Sequence, residues 1–360
     1  MNILVLTARF GMGHYKVAEA IKENIECRNA DANVKIVDFM NYLFPKTSKF
    51  IYGGYNALVF KNARLYNAIG KFAGHGDAVP FRFMIAAKIK KLILENEADA
   101  IVVAFPLCSQ YVSAFKDYSG CDVPMYTCVT DIPVHKDWIA DNTEMYFVSS
   151  NESKEMMLEK GVDKSKIIVT GIPVRTDFSN GRALKPVHEN KKNLVVMGGG
   201  LGLIPGSDLL LNRLAGMDNV NVTVITGNNN KLFETISSNY PKFKTLGFVD
   251  NMSEYMKKAD AVITKPGGVT LFEAINTQTP LYVVNPFLLQ EIGNARFIED
   301  HGIGRVVWKE KDATPDDIEE FISNTEKLDE MKKIMLKICK ANSKYDIMTE
   351  IITQEEEKAV

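Results

Sequence analysis

At 360 residues the chain exceeds one ordinary hydrophobic core, and two domains of about 150–200 residues each are expected. Its 46% hydrophobic and 24% charged residues suit a globular protein, and a net charge of −2 gives no global pull toward nucleic acid. Five cysteines without a CxxC spacing suggest neither a disulfide framework nor a zinc site, and read as small hydrophobes in a reducing compartment.

The opening MNILVLT is strand-like, with no basic leader and no small-residue cleavage site before it. No stretch approaches about 18 uncharged apolar residues, so a cytoplasmic protein with at most peripheral membrane contact is expected. Short apolar runs then alternate with helix-period segments, the pattern of βαβ units on a parallel sheet. In the first half, strands are predicted at 2–7, 34–38, 99–105, 125–130, 145–148 and 167–170. Val17, Ile21 and Ile25 fall at i, i+4 and i+8 after His14, one buried helical face.

The second half restarts the same grammar. Strands are predicted at 193–197, 220–226, 243–246, 261–264 and 281–284, with helices from about Ser207 and near 251–258, 269–277 and 290–301. Residues 178–192 hold Gly, Pro, Asn and clustered charges without periodicity, which reads as a linker. The domains are therefore 1–177 and 193–340, joined by 178–192 and followed by a helix and acidic tail over 341–360. Two open-sheet halves imply a cleft for ligands at the carboxyl ends of their strands.

Three segments carry chemistry. Gly11, Met12, Gly13 and His14 stand between the first strand and first helix, where backbone can approach a substrate and a helix start favours negative charge. This is no complete dinucleotide fingerprint, since Lys16 occupies the third glycine position, although Asp38 at the end of the second strand keeps a nicotinamide enzyme as a rival. His14 is either a cap or a general base. Gly198, Gly199, Gly200 and Gly202 again lie between strand and helix, fit for a diphosphate on backbone N–H groups or for a structural turn. No Gly-Lys-Ser/Thr follows, so Walker A is excluded.

The third segment, KPGGVTLFEA, ends a strand at Thr264 and turns on two glycines. Gly267, Gly268 and Thr270 lie at the phosphate end, and Lys265 can neutralise diphosphate charge. Glu273, about one and a half turns into the helix, can take both hydroxyls of a ribose or be simply solvated. Gln290, Glu291 and Asn294 open the next helix with groups suited to sugar hydroxyls.

KPGGVTLFEA followed by QEIGNA resembles the donor half of the family of bacterial diacylglycerol glucosyltransferases and plant monogalactosyldiacylglycerol synthases. The lipid-II-forming N-acetylglucosaminyltransferase is a more distant relative. FGMGH with VAEAI, VTDIPVHKDW and the segment 149–178 match in family order, so the resemblance spans roughly 1–308. It implies an α/β GT-B fold of two Rossmann-like domains facing across a cleft, acceptor on the first and UDP-sugar on the second. It also implies inverting transfer without metal or cofactor, and the chain has no Asp-x-Asp to hold a cation. By motif, Gly267, Gly268 and Thr270 would face phosphates, Glu273 the ribose, Phe248 and Val249 the uracil, and Gln290 and Glu291 the hexose. His14 would sit at the reaction centre with Asp131 as its partner or as the base. Gly13, His135 and Trp138 would lie on the acceptor side.

Local charge adds a membrane expectation. Residues 42–91 hold nine basic residues, among them Lys46, Lys49, Lys61 and Arg64, against one acidic residue, Asp77. Ten aromatics interleave with them, a composition suited to an anionic bilayer surface. Rings in a core with solvated lysines are the simpler alternative, and single-stranded nucleic acid is disfavoured beside a sugar-nucleotide site. The expected activity is hexose transfer from a UDP-sugar to diacylglycerol at the inner membrane face. Its rivals are N-acetylglucosaminyl transfer to a polyprenyl-linked or other envelope acceptor, a nucleotide-sugar epimerase, and a catalytically weak UDP-sugar sensor.

Overall fold

The computed structural model describes residues 1–61, 82–179, 191–200, 202, 204, 207–344, 347 and 349–352. Arg64, the other 62–81 positions of the basic–aromatic stretch, and 180–190 of the expected linker lie outside the described residues, as does the side chain of Lys61. The chain forms two compact units, Met1–Thr176 with Asn342–Val360, and Asp177–Ala341.

In the first unit β1 (Asn2–Thr7), β2 (Asn33–Asp38), β3 (Ala100–Val103), β4 (Met125–Cys128), β5 (Thr143–Val148) and β6 (Ile167–Val169) form one sheet. Its order is β2-β1-β3-β4-β5-β6, and every pairing is parallel. The inner strands β1, β3 and β4 are short apolar runs buried on both faces, as a helix-covered parallel sheet requires. The helix Gly13–Arg28 buries Val17, Ile21 and Ile25 against the sheet. β3 is shorter than its apolar run because Pro106 at the first turn of the helix Pro106–Ser119 takes over the chain.

The second unit repeats the plan with β7 (Lys192–Met197), β8 (Val220–Ile225), β9 (Lys244–Leu246), β10 (Ala261–Thr264), β11 (Leu281–Val284) and β12 (Gly304–Val307). The order is β12-β11-β10-β7-β8-β9, again parallel throughout. β12 is not among the predicted strands; of its four residues only Val307 is buried, and it pairs with β11.

Both sheets contain a switch point. The chain leaves β1 for β2 on one side and returns to β3 on the other, and leaves β7 for β8 before returning to β10. Loops at such a point diverge and leave a crevice at the strand ends. The loop before His14 follows β1, and Lys265 follows β10.

Two expectations about organisation change. Residues 176–179 are helical and Phe178 is fully buried, so the expected linker begins inside packed structure. Ser253 Oγ donates to Asp177 Oδ2 at 2.7 Å, which ties this helix to the second unit. The segment from Asn342, expected as a separate helix and tail, groups with the first unit.

Candidate active site

In the second unit the loops after β7, β8 and β10 come together. After β10 the chain bends at Lys265 and Pro266, Gly267 takes an extended conformation, and the helix Gly268–Thr277 begins. The first N–H groups of such a helix have no partner within it and favour an anion. Thr270 Oγ1 stands beside Gly267, where a Cβ would meet it at 3.9 Å.

The glycine loop after β7 reaches the same place. Gly199 has φ +70°, and a Cβ there would stand 3.8 Å from Lys265 Cε. Gly227, at φ +57° after β8, passes so close that its Cβ would lie 2.7 Å from the Gly200 carbonyl oxygen. Asn228 N–H donates to that same oxygen at 3.1 Å. Only glycine fits both constraints, so the loop is braced from behind.

Lys265 is not free. Its Nζ lies 3.2 Å from Glu291 Oε1, with side-chain exposures of 22% and 4%. The other carboxylate oxygen accepts the Leu288 N–H at 3.3 Å, closing the N-terminus of the helix Leu289–Asp300. Glu291 therefore holds Lys265 and its own helix before it meets any sugar. Asn294 is fully buried and donates to the Pro266 carbonyl at 2.9 Å. Asn294, expected on the donor side, holds the turn through this contact. Glu273 is half-buried at the sixth position of its helix, and Gln290 and Val249 are half-buried. Phe248 exposes 46% of its surface.

In the first unit His14 opens its helix at the switch point. Its Nδ1 shares a 2.8 Å hydrogen bond with Thr130 Oγ1, the hydroxyl just before Asp131. Phe105 meets the imidazole edge-on with centroids 5.0 Å apart, and Trp138 lies 6.2 Å away. This apolar surround lowers the His14 pKa to about 4, against a weaker upward pull from a hydrogen bond to the Ala104 backbone. Burial disfavours imidazolium, so His14 is neutral at physiological pH.

Phe10, in the loop before His14, stacks on Phe105 at 5.3 Å. Tyr52 and Tyr55 approach Phe10 edge-on at 4.9 and 5.1 Å. Sequence reasoning missed Thr130, Phe10 and Phe105. The VTD motif draws attention to its carboxylate, and Phe10 and Phe105 lie about half the unit apart in sequence before the sheet joins them.

The expected acceptor and membrane residues divide. Gly13 and His135 are exposed, as are Lys46 and Lys49, and Phe50 exposes 81% of its surface. Trp138 is fully buried among Val129, Tyr146 and Ile167, which corrects its assignment to a lipid or acceptor surface. Lys88 turns inward as well, donating to the Leu43 carbonyl. Phe44 packs against the core, so part of the basic–aromatic stretch is structural. Among the described residues no helix is long and apolar enough to cross a membrane, and no group of three or more His, Cys, Asp or Glu is placed to hold a metal.

The two parallel six-stranded units, each with helices between its strands, have the architecture of the GT-B fold. A family model described as monogalactosyldiacylglycerol (MGDG) synthase matches residues 14–174, and the glycosyltransferase family 28 C-terminal domain matches 193–351. The processive diacylglycerol beta-glucosyltransferase of Bacillus licheniformis is 30% identical, over 99% of this chain and 95% of its own. The chain belongs to the diacylglycerol glucosyltransferase and monogalactosyldiacylglycerol synthase family. Solved structures extend the fold further. MurG of Acinetobacter baumannii gives a TM-score of 0.59 at 13% identity, covering 94% of this chain and 95% of its own. A UDP-GlcNAc 2-epimerase from Neisseria meningitidis gives 0.61 at 13%, covering 98% and 100%. Transferase and epimerase share this architecture, so the fold alone does not separate them.

Proposed function

We propose that this protein transfers a hexose from a UDP-sugar to diacylglycerol, with inversion, at the inner face of the cell membrane. The observation that carries the donor half is the meeting of Gly199, Lys265 and the start of the helix Gly268–Thr277, a cation and backbone N–H groups around one turn. Glu273 suits the ribose and Phe248 the uracil. The acceptor half rests on a neutral His14 at the switch point of the first sheet and on the acceptor named for the Bacillus licheniformis relative.

The reaction is a single displacement. His14, or Asp131 beside Thr130, takes the proton of the acceptor hydroxyl while its oxygen bonds to the anomeric carbon. The bond from that carbon to the diphosphate breaks, and UDP leaves with the electron pair. Lys265 and the helix N-terminus stabilise the departing charge, fixed dipoles in place of a cation. The exposed Lys46, Lys49 and Phe50 bring the protein to an anionic bilayer where the acceptor resides.

Purified protein incubated with labelled UDP-hexoses and phosphatidylglycerol vesicles containing diacylglycerol tests the reading. Glycosylated lipid should form, equally in excess EDTA. An absolute magnesium or manganese requirement contradicts the metal-free step. Release of free sugar without lipid product contradicts the acceptor.

A further inference from the structure

The loop that presents His14 has little to hold it from within. Gly11 sits at φ +71° with open space around it, and Gly13 is exposed. Besides the Arg9 guanidinium over the Tyr15 ring at 4.2 Å and Phe10 on Phe105, it is supported by the helix Ser48–Lys61, outside the motifs that define the site. The Tyr52 hydroxyl donates to Asp38 Oδ1 at 2.5 Å and accepts the Arg9 N–H at 3.1 Å. Arg9 Nε lies 3.6 Å from Asp38 Oδ2. Asp38 ends β2 and accepts the Asn41 N–H, so this bracket stands on a strand end and a helix start. Burial, reinforced by Asp38, raises the Tyr52 phenol pKa, so the hydroxyl keeps the proton it donates. The Tyr52 ring braces Phe10, Phe10 stacks on Phe105, and Phe105 abuts the His14 imidazole.

We propose that Tyr52 is a positioning residue for the transfer, fixing the 8–12 loop through Arg9 and Phe10 so that His14 is held at the reacting centre. This rests on the reading that His14 stands there. The bracket does for the first unit what Gly227 and Asn294 do for the phosphate turn: a residue remote in sequence makes a glycine-containing loop rigid. The same helix exposes Lys49 and Phe50, so the support of the base and the proposed docking surface belong to one element.

Tyr52→Phe tests this, because it keeps the ring against Phe10 and removes only the hydroxyl bracket. Displacement of a reacting group by about an ångström costs up to about a hundredfold in rate. The kcat should fall about ten- to a hundredfold with KM for the UDP-sugar unchanged. The His14 imidazole, followed by NMR, should titrate higher, toward its ordinary value, as the loosened loop admits water. Sedimentation with phosphatidylglycerol vesicles should match the unaltered protein. Unchanged kcat in Tyr52→Phe overturns the proposal. So does a lower kcat with a lower melting temperature and an unmoved His14 titration, which is a purely structural effect. His14→Ala separates the two readings. Normal turnover there removes His14 from the reaction, and the Tyr52 role with it, whereas a crippled His14→Ala beside a normal Tyr52→Phe removes Tyr52 alone.

Discussion

Lys265 and Glu291 form an ion pair at 3.2 Å, joining the cation proposed for the diphosphate to a carboxylate at the start of the next helix. Removing one partner of a buried pair leaves the other charge uncompensated. Lys265 retains some solvent, so Glu291→Gln should cost about 1.5–3 kcal/mol, short of the full penalty for a buried ion. Urea unfolding monitored on the second unit measures it. A midpoint and slope identical to the unaltered protein's would show that the pair holds nothing.

Glu273 sits half-buried beyond the phosphate turn, where a ribose would offer two hydroxyls. Loss of a charge-assisted pair costs about 1.5–3 kcal/mol, so Glu273→Ala should weaken UDP binding roughly ten- to a hundredfold. Calorimetry with UDP decides it, and unchanged affinity would sink the ribose assignment.

His14 supplies a pH prediction with a definite sign. Its pKa of about 4 lies below the ordinary histidine value, so the neutral, proton-accepting form persists as pH falls. The acid limb of kcat/KM, which reports the free enzyme, should therefore lie near pH 4 instead of near 6.5. Between those values the unfolded chain binds the His14 proton and the folded chain does not, so stability falls as pH drops through that window. His14→Ala should lose turnover about a hundred- to ten-thousandfold with UDP affinity intact, and should flatten that stability loss. A comparable rate loss in Asp131→Asn makes the two a coupled pair, and a much larger one moves the base role to Asp131.

The exposed lysines beside Phe50 predict salt-sensitive docking. Attraction to a charged surface is screened within about 8 Å at physiological salt. The protein should sediment with phosphatidylglycerol-rich vesicles, bind neutral ones little, and be released by high salt. Replacing Lys46, Lys49, Lys61 and Arg64 with glutamate should abolish sedimentation while UDP binding persists. Equal binding to neutral and anionic vesicles would discredit the electrostatic component.

The sequence by itself determined the doubly wound architecture, because short apolar runs spaced by helix-period segments have few ways to bury their faces except as two parallel sheets. It singled out His14, Lys265 and Glu273 as candidates, because glycines at strand–helix junctions mark the switch-point loops. Tertiary structure decided what those residues touch. Thr130 on His14, Glu291 on Lys265, and Tyr52 beneath Phe10 are contacts between segments far apart in the chain. No periodicity or spacing encodes them, since they follow from strand order, which sets which loop ends become neighbours. Burial decided the rest. Trp138 and Asn294 look like surface groups in a motif, yet each is enclosed, one as core and one as a prop beneath the turn. A motif shows which residues lie near a site, and only packing shows whether a side chain faces the ligand or the protein behind it.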